Sequence, residues 1–317
     1  MGGRVLTVGY SSLDHIAKVE QLGASGETRI VAKHWPAATM GGCAANVAVA
    51  LARLGTRAAA CIAVGDDAES ARYLEGLRRE GVDLSEVEIR VGEAMPRSYL
   101  FLGQDDTELY FDPGAMRDWP GPEALDLADT ARVVVTVGPA GANSVVMERA
   151  KDLGIPIALQ LKRDLTAFRA DRLRSLLAHC DLVFANREEL GFLLDAVQMG
   201  GASQLLALGP RWILETRGTE GAVLHHEGGV VEVPVVHARE VVEPTGAGDA
   251  FTAGLVFGLM KGTEPVVAAR IGAVLASFAV EGWGCQQTLP SLEKLKERYR
   301  AVFGTHGEAH FLEWEAM

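Results

Sequence analysis

Val241-Val242-Glu243-Pro244-Thr245-Gly246-Ala247-Gly248-Asp249-Ala250-Phe251-Thr252-Ala253-Gly254 decides how the rest of the chain is read. A β-branched pair leads into a Thr-Gly-Ala-Gly turn, and small and apolar residues then run on to Gly262 without a proline. The pattern predicts a strand, a glycine turn and a helix. Such a junction gathers unpaired backbone N–H groups at the positive end of a helix, which makes an anion site, and phosphate is the usual anion. Gly246 and Gly248 let the backbone approach a ligand where a Cβ would clash. Asp249 is the odd member, because a carboxylate repels phosphate. It makes sense as a base that takes a proton from a hydroxyl, which then attacks phosphorus. The plainer reading is a glycine turn with an aspartate near a helix start, where aspartate is common. Other phosphate-binding patterns fail. Gly-x-Gly-x-x-Gly breaks at Phe251, and neither Gly-Lys-Ser nor Gly-Lys-Thr occurs.

Bulk properties bound what surrounds this stretch. A chain of 317 residues is too long for a small module and within reach of one large α/β domain. A net charge of −12 argues against a general nucleic-acid binder, although local basic residues can still hold one nucleotide. Cys43, Cys61, Cys180 and Cys285 are far apart and form no Cys-x-x-Cys pair, which favours a reduced, cytoplasmic protein. The N-terminus lacks the long apolar core of a signal peptide. Apolar runs such as Ala273–Val280 fall far short of the ~18 residues that cross a membrane. No histidine or cysteine spacing indicates zinc.

Taken in order, Arg4–Tyr10 reads as a buried strand with Ser11-Ser12-Leu13-Asp14 at its C-terminal end, where ligands bind in open α/β sheets. Asp14 is a candidate for holding hydroxyls, and a turn aspartate is the alternative. Gly41–Gly55 opens on two glycines, is rich in alanine and stops at Gly55, which predicts a helix. Asn46 is polar within that apolar stretch and needs a partner if buried. Ala58–Val64, Val82–Val91 and Arg97–Leu102 read as strands, with Glu108–Phe111 completing a small sheet. From Ala131 the elements alternate: strand Arg132–Val137, helix Asn143–Leu153, strand Ile155–Leu161, helix Leu165–His179, strand Leu182–Ala185. That rhythm implies a mostly parallel sheet with helices on both faces. Asn186-Arg187-Glu188-Glu189 suits a helix N-terminus with Asn186 as cap. Trp212–Ala222 is a strand and glycine turn, Ala222–His226 and Val230–Val236 form a hairpin, and Glu264–Glu281 and Ser291–Phe303 read as helices before an acidic tail from Gly304.

Four separated stretches resemble, in order, signatures of the ribokinase-like (PfkB) family of carbohydrate and nucleoside kinases. They are Gly41–Gly55 (Gly-Gly-x-x-x-Asn-x-Ala), Asn186–Glu189 (Asn-x-x-Glu), Thr216–Gly221 (Thr-x-Gly-x-x-Gly) and Thr245–Phe251 (Gly-Ala-Gly-Asp-x-Phe). The resemblance covers about residues 4 to 303. It implies a ribokinase-like α/β fold: a central, mostly parallel sheet flanked by helices. It further implies a single domain over residues 1–317, with a small β-sheet lid from roughly 14–40 and 95–116 inserted in the core. It implies ATP-dependent transfer to a hydroxyl, with Asp249 as base and Gly246, Ala247 and Gly248 cradling the moving phosphate. Asp14, Gly41, Gly42, Asn46 and Met116 would line the substrate site. Asn186, Thr216, Arg217, Gly218 and Gly221 would border the nucleotide, and Glu189 would act near Mg²⁺. The loop Gly282–Gln286 would border adenine and help to hold a monovalent cation such as K⁺.

Tyr110-Phe111-Asp112-Pro113-Gly114-Ala115-Met116, and Gly-x-Gln at Gly284–Gln286, resemble bacterial adenosine kinases within the family. The expected partner is therefore a small nucleoside, adenosine first, phosphorylated on a primary hydroxyl, with no nucleic acid and no membrane. A sugar kinase acting on ribose, fructose or a related compound stays open, as does a non-catalytic nucleoside- or sugar-binding protein. Unpaired lid edges offer a surface for a homodimer. Two positions depart from the family pattern. Glu243-Pro244 stand where Asp-Thr is usual. Gln160, in Leu159-Gln160-Leu161-Lys162-Arg163, replaces an aspartate, which weakens any assignment of hydroxyl or cation binding to that turn.

Overall fold

The computed structural model describes residues 3–23, 26–35, 37–103, 107–164 and 166–304. The acidic tail and the expected helix start at Leu165 lie outside these residues. The chain opens with β1 (Arg4–Val8), β2 (Ser12–Val19), β3 (Val31–His34), β4 (Thr39–Gly41) and α1 (Cys43–Arg53). β5 (Ala58–Gly65), α2 (Ala68–Arg79), β6 (Val87–Arg90), β7 (Arg97–Leu102) and β8 (Thr107–Asp112) follow. The alternating part comprises β9 (Thr130–Val135), α3 (Ala140–Asp152), β10 (Ile157–Gln160), α4 (Ala170–Leu177), β11 (Leu182–Asn186), α5 (Arg187–Val197) and α6 (Ala202–Leu205). The chain continues through β12 (Trp212–Thr216), β13 (Ala222–His226) and β14 (Gly229–Val233) to α7 (Ala247–Met260), α8 (Pro265–Ala279) and α9 (Leu292–Phe303).

Nine strands form one sheet in the order β14-β13-β12-β11-β10-β9-β1-β5-β6. Along this order the seven strands from β12 to β6 pair in parallel, and the β13–β14 hairpin adds an antiparallel edge. Parallel strands between two helical layers must be apolar on both faces, and β5 (Ala-Ala-Ala-Cys-Ile-Ala-Val-Gly) is buried at every position. The strand order reverses beside β1, with β5 on one side and β9 on the other. The C-terminal ends of strands at such a reversal form a crevice, and that is where ligands bind in open α/β sheets. A separate small sheet has the order β3-β2-β7-β8 with β4 on β2; β2–β4 lie between β1 and α1 in sequence, and β7 and β8 follow β6.

Several expectations need correction. Val241 and Val242 do not form a strand; the last strand before the glycine turn ends at Val233. Instead the N–H groups of Val242 and Glu243 bond the Val280 carbonyl, so that segment is tied to the end of α8 rather than to a sheet. Asp14 lies on β2 and not in a turn. Of Val82–Val91, β6 occupies Val87–Arg90, and α4 is limited to Ala170–Leu177.

α7 explains why its sequence is apolar all round: Asp249 through Gly258 are buried in the middle of the molecule. It lies tightly on α8, where Gly254 faces Gly272 and Gly258 faces Ala268. A Cβ on Gly254 would sit 2.7 Å from the Gly272 Cα, inside contact distance of backbone. Gly254→Val should therefore force α7 and α8 apart and cost about 1–3 kcal/mol or more, the range for overpacking a core. The shift in the urea unfolding midpoint measures this, and an unchanged midpoint would contradict the packing described.

Candidate active site

The glycine turn and α7 build one wall of the crevice. Gly246 takes φ +84° as the residue before α7, and no side chain caps this helix end. A Cβ at Gly246 would lie 2.7 Å from the Cys285 Cβ, so both backbone conformation and space require glycine. Glu243 is 1% exposed; its carboxylate accepts from the Thr245 N–H at 2.8 Å and the Gly284 N–H at 3.2 Å. The residue that departs from the family pattern thus ties the glycine turn to the Gly282–Gln286 loop.

Asp249 sits in the first turn of α7 and is 4% exposed. Two amides hold it. Asn46 Nδ2, from α1, donates to one carboxylate oxygen at 2.7 Å, and Gln160 Nε2, from the end of β10, donates to the other at 2.6 Å. Gln286 Nε2 in turn donates to Asn46 Oδ1 at 2.8 Å. The partner that a buried Asn46 required is the candidate base itself. Gln160, legible only as a departure, is tied to Asp249 by this bond. The two amide donors fix the rotamer of the carboxylate, while an oxygen with one hydrogen bond still has a lone pair free to accept another.

The small sheet supplies the opposite wall. Asp14 accepts from Ser12 Oγ at 2.6 Å, and Ser12 Oγ lies 2.6 Å from Ser98 Oγ on β7. Gly41 is needed here: a Cβ would fall 1.9 Å from Asp14 Oδ2. Gly42, at φ +90°, lets the chain pass 2.5 Å from where a Cβ would meet the Tyr10 carbonyl. Burial pushes the Asp14 carboxyl up to about 6, with nearby Asp249 and Glu243 adding to the rise and the serine hydrogen bonds opposing it. Tyr10, from the core, and Phe111, from the small sheet, meet with ring centroids 4.6 Å apart. Only half of the expected aromatic pair faces this way. Phe111 is in register with the buried Ser98, whereas Tyr110 is opposite Tyr99 on the outer face and 58% exposed. Met116 is a core residue whose sulfur accepts from the Ser11 N–H at 3.2 Å.

On the other side of Asp249 lies a cleft of about 340 Å³. Thr216, Gly218 and Gly221 line it together with Ala247, Gly248 and the apolar flank of α8. Its walls are largely apolar, as suits a flat heteroaromatic ring beside a phosphate turn. Arg217, expected to border the nucleotide with its neighbours, is not among the residues that line this cleft. Its guanidinium is committed to Glu215 at 2.9 and 2.8 Å. Asn186 and Glu189 form a reciprocal cap at the start of α5, each accepting from the other's N–H at 2.8 Å. The remaining Glu189 oxygen lies 3.6 Å from Lys162 Nζ. Burial raises the Glu189 carboxyl above its ordinary range despite Lys162. Burial also opposes charge on Lys162, but Cys43, Glu189 and Asp249 outweigh it and hold the ammonium in its charged form. Among the described residues, no group of three or more His, Cys, Asp or Glu side chains is arranged to hold a metal by itself. No helix among them is long and apolar enough to cross a membrane.

A buried carboxylate, an uncapped helix N-terminus over a glycine turn and an adjoining cleft, all at the strand ends of a parallel sheet, fit a phosphotransferase. The chain matches the pfkB family carbohydrate kinases over residues 3–292 and belongs to that family. It is 28% identical to a nucleoside kinase of Methanothermobacter thermautotrophicus over 95% of this chain and 96% of that one. It is 30% identical to an ATP-dependent ribose-1-phosphate kinase of Halopiger xanaduensis over 80% of this chain and 83% of that one. The crystal structure of the Methanocaldococcus jannaschii nucleoside kinase superposes with a TM-score of 0.85 at 26% identity, covering 95% of this chain and all of that one. The protein is an ATP-dependent kinase that phosphorylates a hydroxyl of a nucleoside or a sugar.

Two predictions follow from the Asp14 and Gln160 contacts. Asp14 can accept from substrate hydroxyls with both oxygens only when ionised. The kcat/KM for the acceptor should therefore fall as pH drops through about 6, rather than near 4 where an ordinary aspartate titrates. Asp14→Asn should be slower and lose this step. A wild-type profile that stays flat down to pH about 4.5 contradicts it. Gln160→Leu should lower kcat by about tenfold or more, since a base displaced by ~1 Å loses much of its effect. A Gln160→Leu variant with wild-type kcat contradicts the positioning role.

Proposed function

We propose that the acceptor is a nucleoside, adenosine first, and that the phosphoryl group goes to its 5′-hydroxyl. The observation that carries this reading is the Tyr10–Phe111 pair, 4.6 Å apart, where core and small sheet meet beside Asp14. Sugar hydroxyls need polar partners, and Asp14 with Ser12 and Ser98 supplies them. A free sugar has no use for an aromatic surface next to those groups, whereas a purine gains from packing on one. The nucleoside kinases at 28% and 27% identity support the same choice. The ribose-1-phosphate kinase relative supports the sugar reading instead, because the polar cluster would serve either acceptor.

In this mechanism Asp249, oriented by Asn46 and Gln160, takes the proton of the acceptor hydroxyl. The oxygen attacks the γ-phosphorus of ATP, and ADP leaves. The backbone N–H groups of Gly246, Ala247 and Gly248, at the positive end of α7, stabilise charge on the transferred group. Thr216, Gly218 and Gly221 would border the nucleotide, and Met116 would support the substrate pocket from behind through Ser11. Glu189, an oxygen donor at the crevice wall, fits a hard cation held through water, so Mg²⁺ bound there would neutralise phosphate charge. Glu243, buried with Asp14 and Asp249 in electrostatic reach, offers the anionic setting that a monovalent cation at the Gly282–Gln286 loop would offset. The small sheet would act as the lid that excludes water from ATP, and its outer face, with His15 stacked on Tyr99 and Tyr110 exposed, would seat a second copy.

ADP release measured with Mg-ATP against adenosine, inosine, guanosine, cytidine, ribose and fructose tests the acceptor. Turnover confined to nucleosides, with adenosine best, is the expected result. Turnover confined to sugars contradicts it. Asp249→Asn should cut turnover on the preferred acceptor by about 10²–10⁴, the range for losing a general base. Turnover within a few fold of wild type would remove Asp249 from that role.

A further inference from the structure

Transfer of a phosphoryl group into this crevice poses a charge problem. Asp14, Glu189, Glu243 and Asp249 are all buried around it, and ATP adds further negative charge. The cations that the sequence places nearest the nucleotide are already engaged. Arg217 holds Glu215, and Arg187 holds Glu220 at 2.7 and 3.2 Å. Lys162 is differently placed. It follows β10 two residues after Gln160, so the turn that orients the base also carries this ammonium. Its Nζ lies 3.6 Å from Glu189, a distance that leaves the ion pair loose. The side chain is 40% exposed, so the pair with Glu189 is not sealed inside the protein.

We propose that Lys162 is a catalytic residue of the transfer reaction: the cation that meets the phosphoryl group as it passes from ATP to the acceptor. In the step, the hydroxyl proton goes to Asp249, the acceptor oxygen forms its bond to the γ-phosphorus, and the bond to the β–γ bridging oxygen breaks with its electron pair leaving on ADP. Lys162 stays protonated throughout and donates to the non-bridging oxygens of the moving group, opposite the N–H groups of Gly246–Gly248. Before ATP arrives, Glu189 parks the ammonium. A long, flexible side chain with a point charge suits this transfer between two partners.

The inference rests on the kinase reaction and not on which acceptor is used. Lys162→Met and Lys162→Arg are compared with wild type for kcat, for both KM values and for binding of Mg-ADP with and without aluminium fluoride. Lys162→Met should lower kcat by about 10²–10³, as removal of one transition-state donor does, with both KM values within about threefold. It should keep ADP affinity and lose the extra tightening that aluminium fluoride gives wild type. Lys162→Arg should recover at least part of kcat. A Lys162→Met enzyme within about fivefold of wild-type kcat overturns the proposal. So does a Met variant that loses activity but binds the ADP–fluoride complex as wild type does, since Lys162 would then only support Glu189. If wild type turns over none of the acceptors tried, the acceptor reading fails, and the fluoride titration alone decides for or against Lys162.

Discussion

Everything in this molecule that bears on chemistry depends on one buried carboxylate and the two amides that hold it. Asp249 is 4% exposed and sits in the first turn of α7, beside the glycine turn. Asn46 and Gln160 hold it in place by donating to its two oxygens at 2.7 and 2.6 Å. These donors come from α1 and β10, both far from α7 in the chain, so the carboxylate is held only when the core is complete. Gln286 extends the chain by fixing Asn46 from the loop after α8.

The rest of the site answers the repulsion that Asp249 brings. The uncapped N-terminus of α7 points backbone donors at the place where charge accumulates, and Gly246 turns the chain so that nothing covers them. Glu243 binds the glycine turn to Gly284 through two backbone N–H groups, which keeps the turn in register with the loop that carries Gln286. Side-chain cations within the nucleotide segment are spent on structure, as the Arg217–Glu215 pair shows. The charge balance therefore falls to groups that reach the crevice from β10 and α5.

The parallel sheet was legible because apolar runs alternate with helical patterns, and β-strand burial on both faces leaves no polar alternation to mislead. The glycine turn was legible because only glycine fits Gly246, at positive φ against Cys285. Asn46 announced a missing partner without naming it, since hydrogen bonds between residues 203 apart leave no trace in local spacing. Gln160 was legible only as a departure for a related reason: judged by its own turn it lacks a charge, and its contact is with α7. β2 escaped notice because Ser12, Asp14 and His15 look like a turn. The polarity of Ser12 and Asp14 belongs to the inner face, His15 stacks on Tyr99 on the outer one, and Ile16 and Val19 carry the buried apolar positions. Val241 and Val242 have strand propensity, but backbone bonds to Val280 override it. Arg217 shows the limit most plainly, because a cation beside a phosphate site reads the same whether it is available or already paired with Glu215.

The most direct test is a crystal structure of the protein with adenosine and a non-hydrolysable ATP analogue bound together. The account places the acceptor 5′-oxygen about 2.6–3.2 Å from an Asp249 oxygen, the reach of a general base, and in line with the γ-phosphorus, with Asn46 and Gln160 still on the carboxylate. An acceptor hydroxyl paired with another side chain, or an Asp249 carboxylate turned away from it while its two amide bonds persist, would contradict the account.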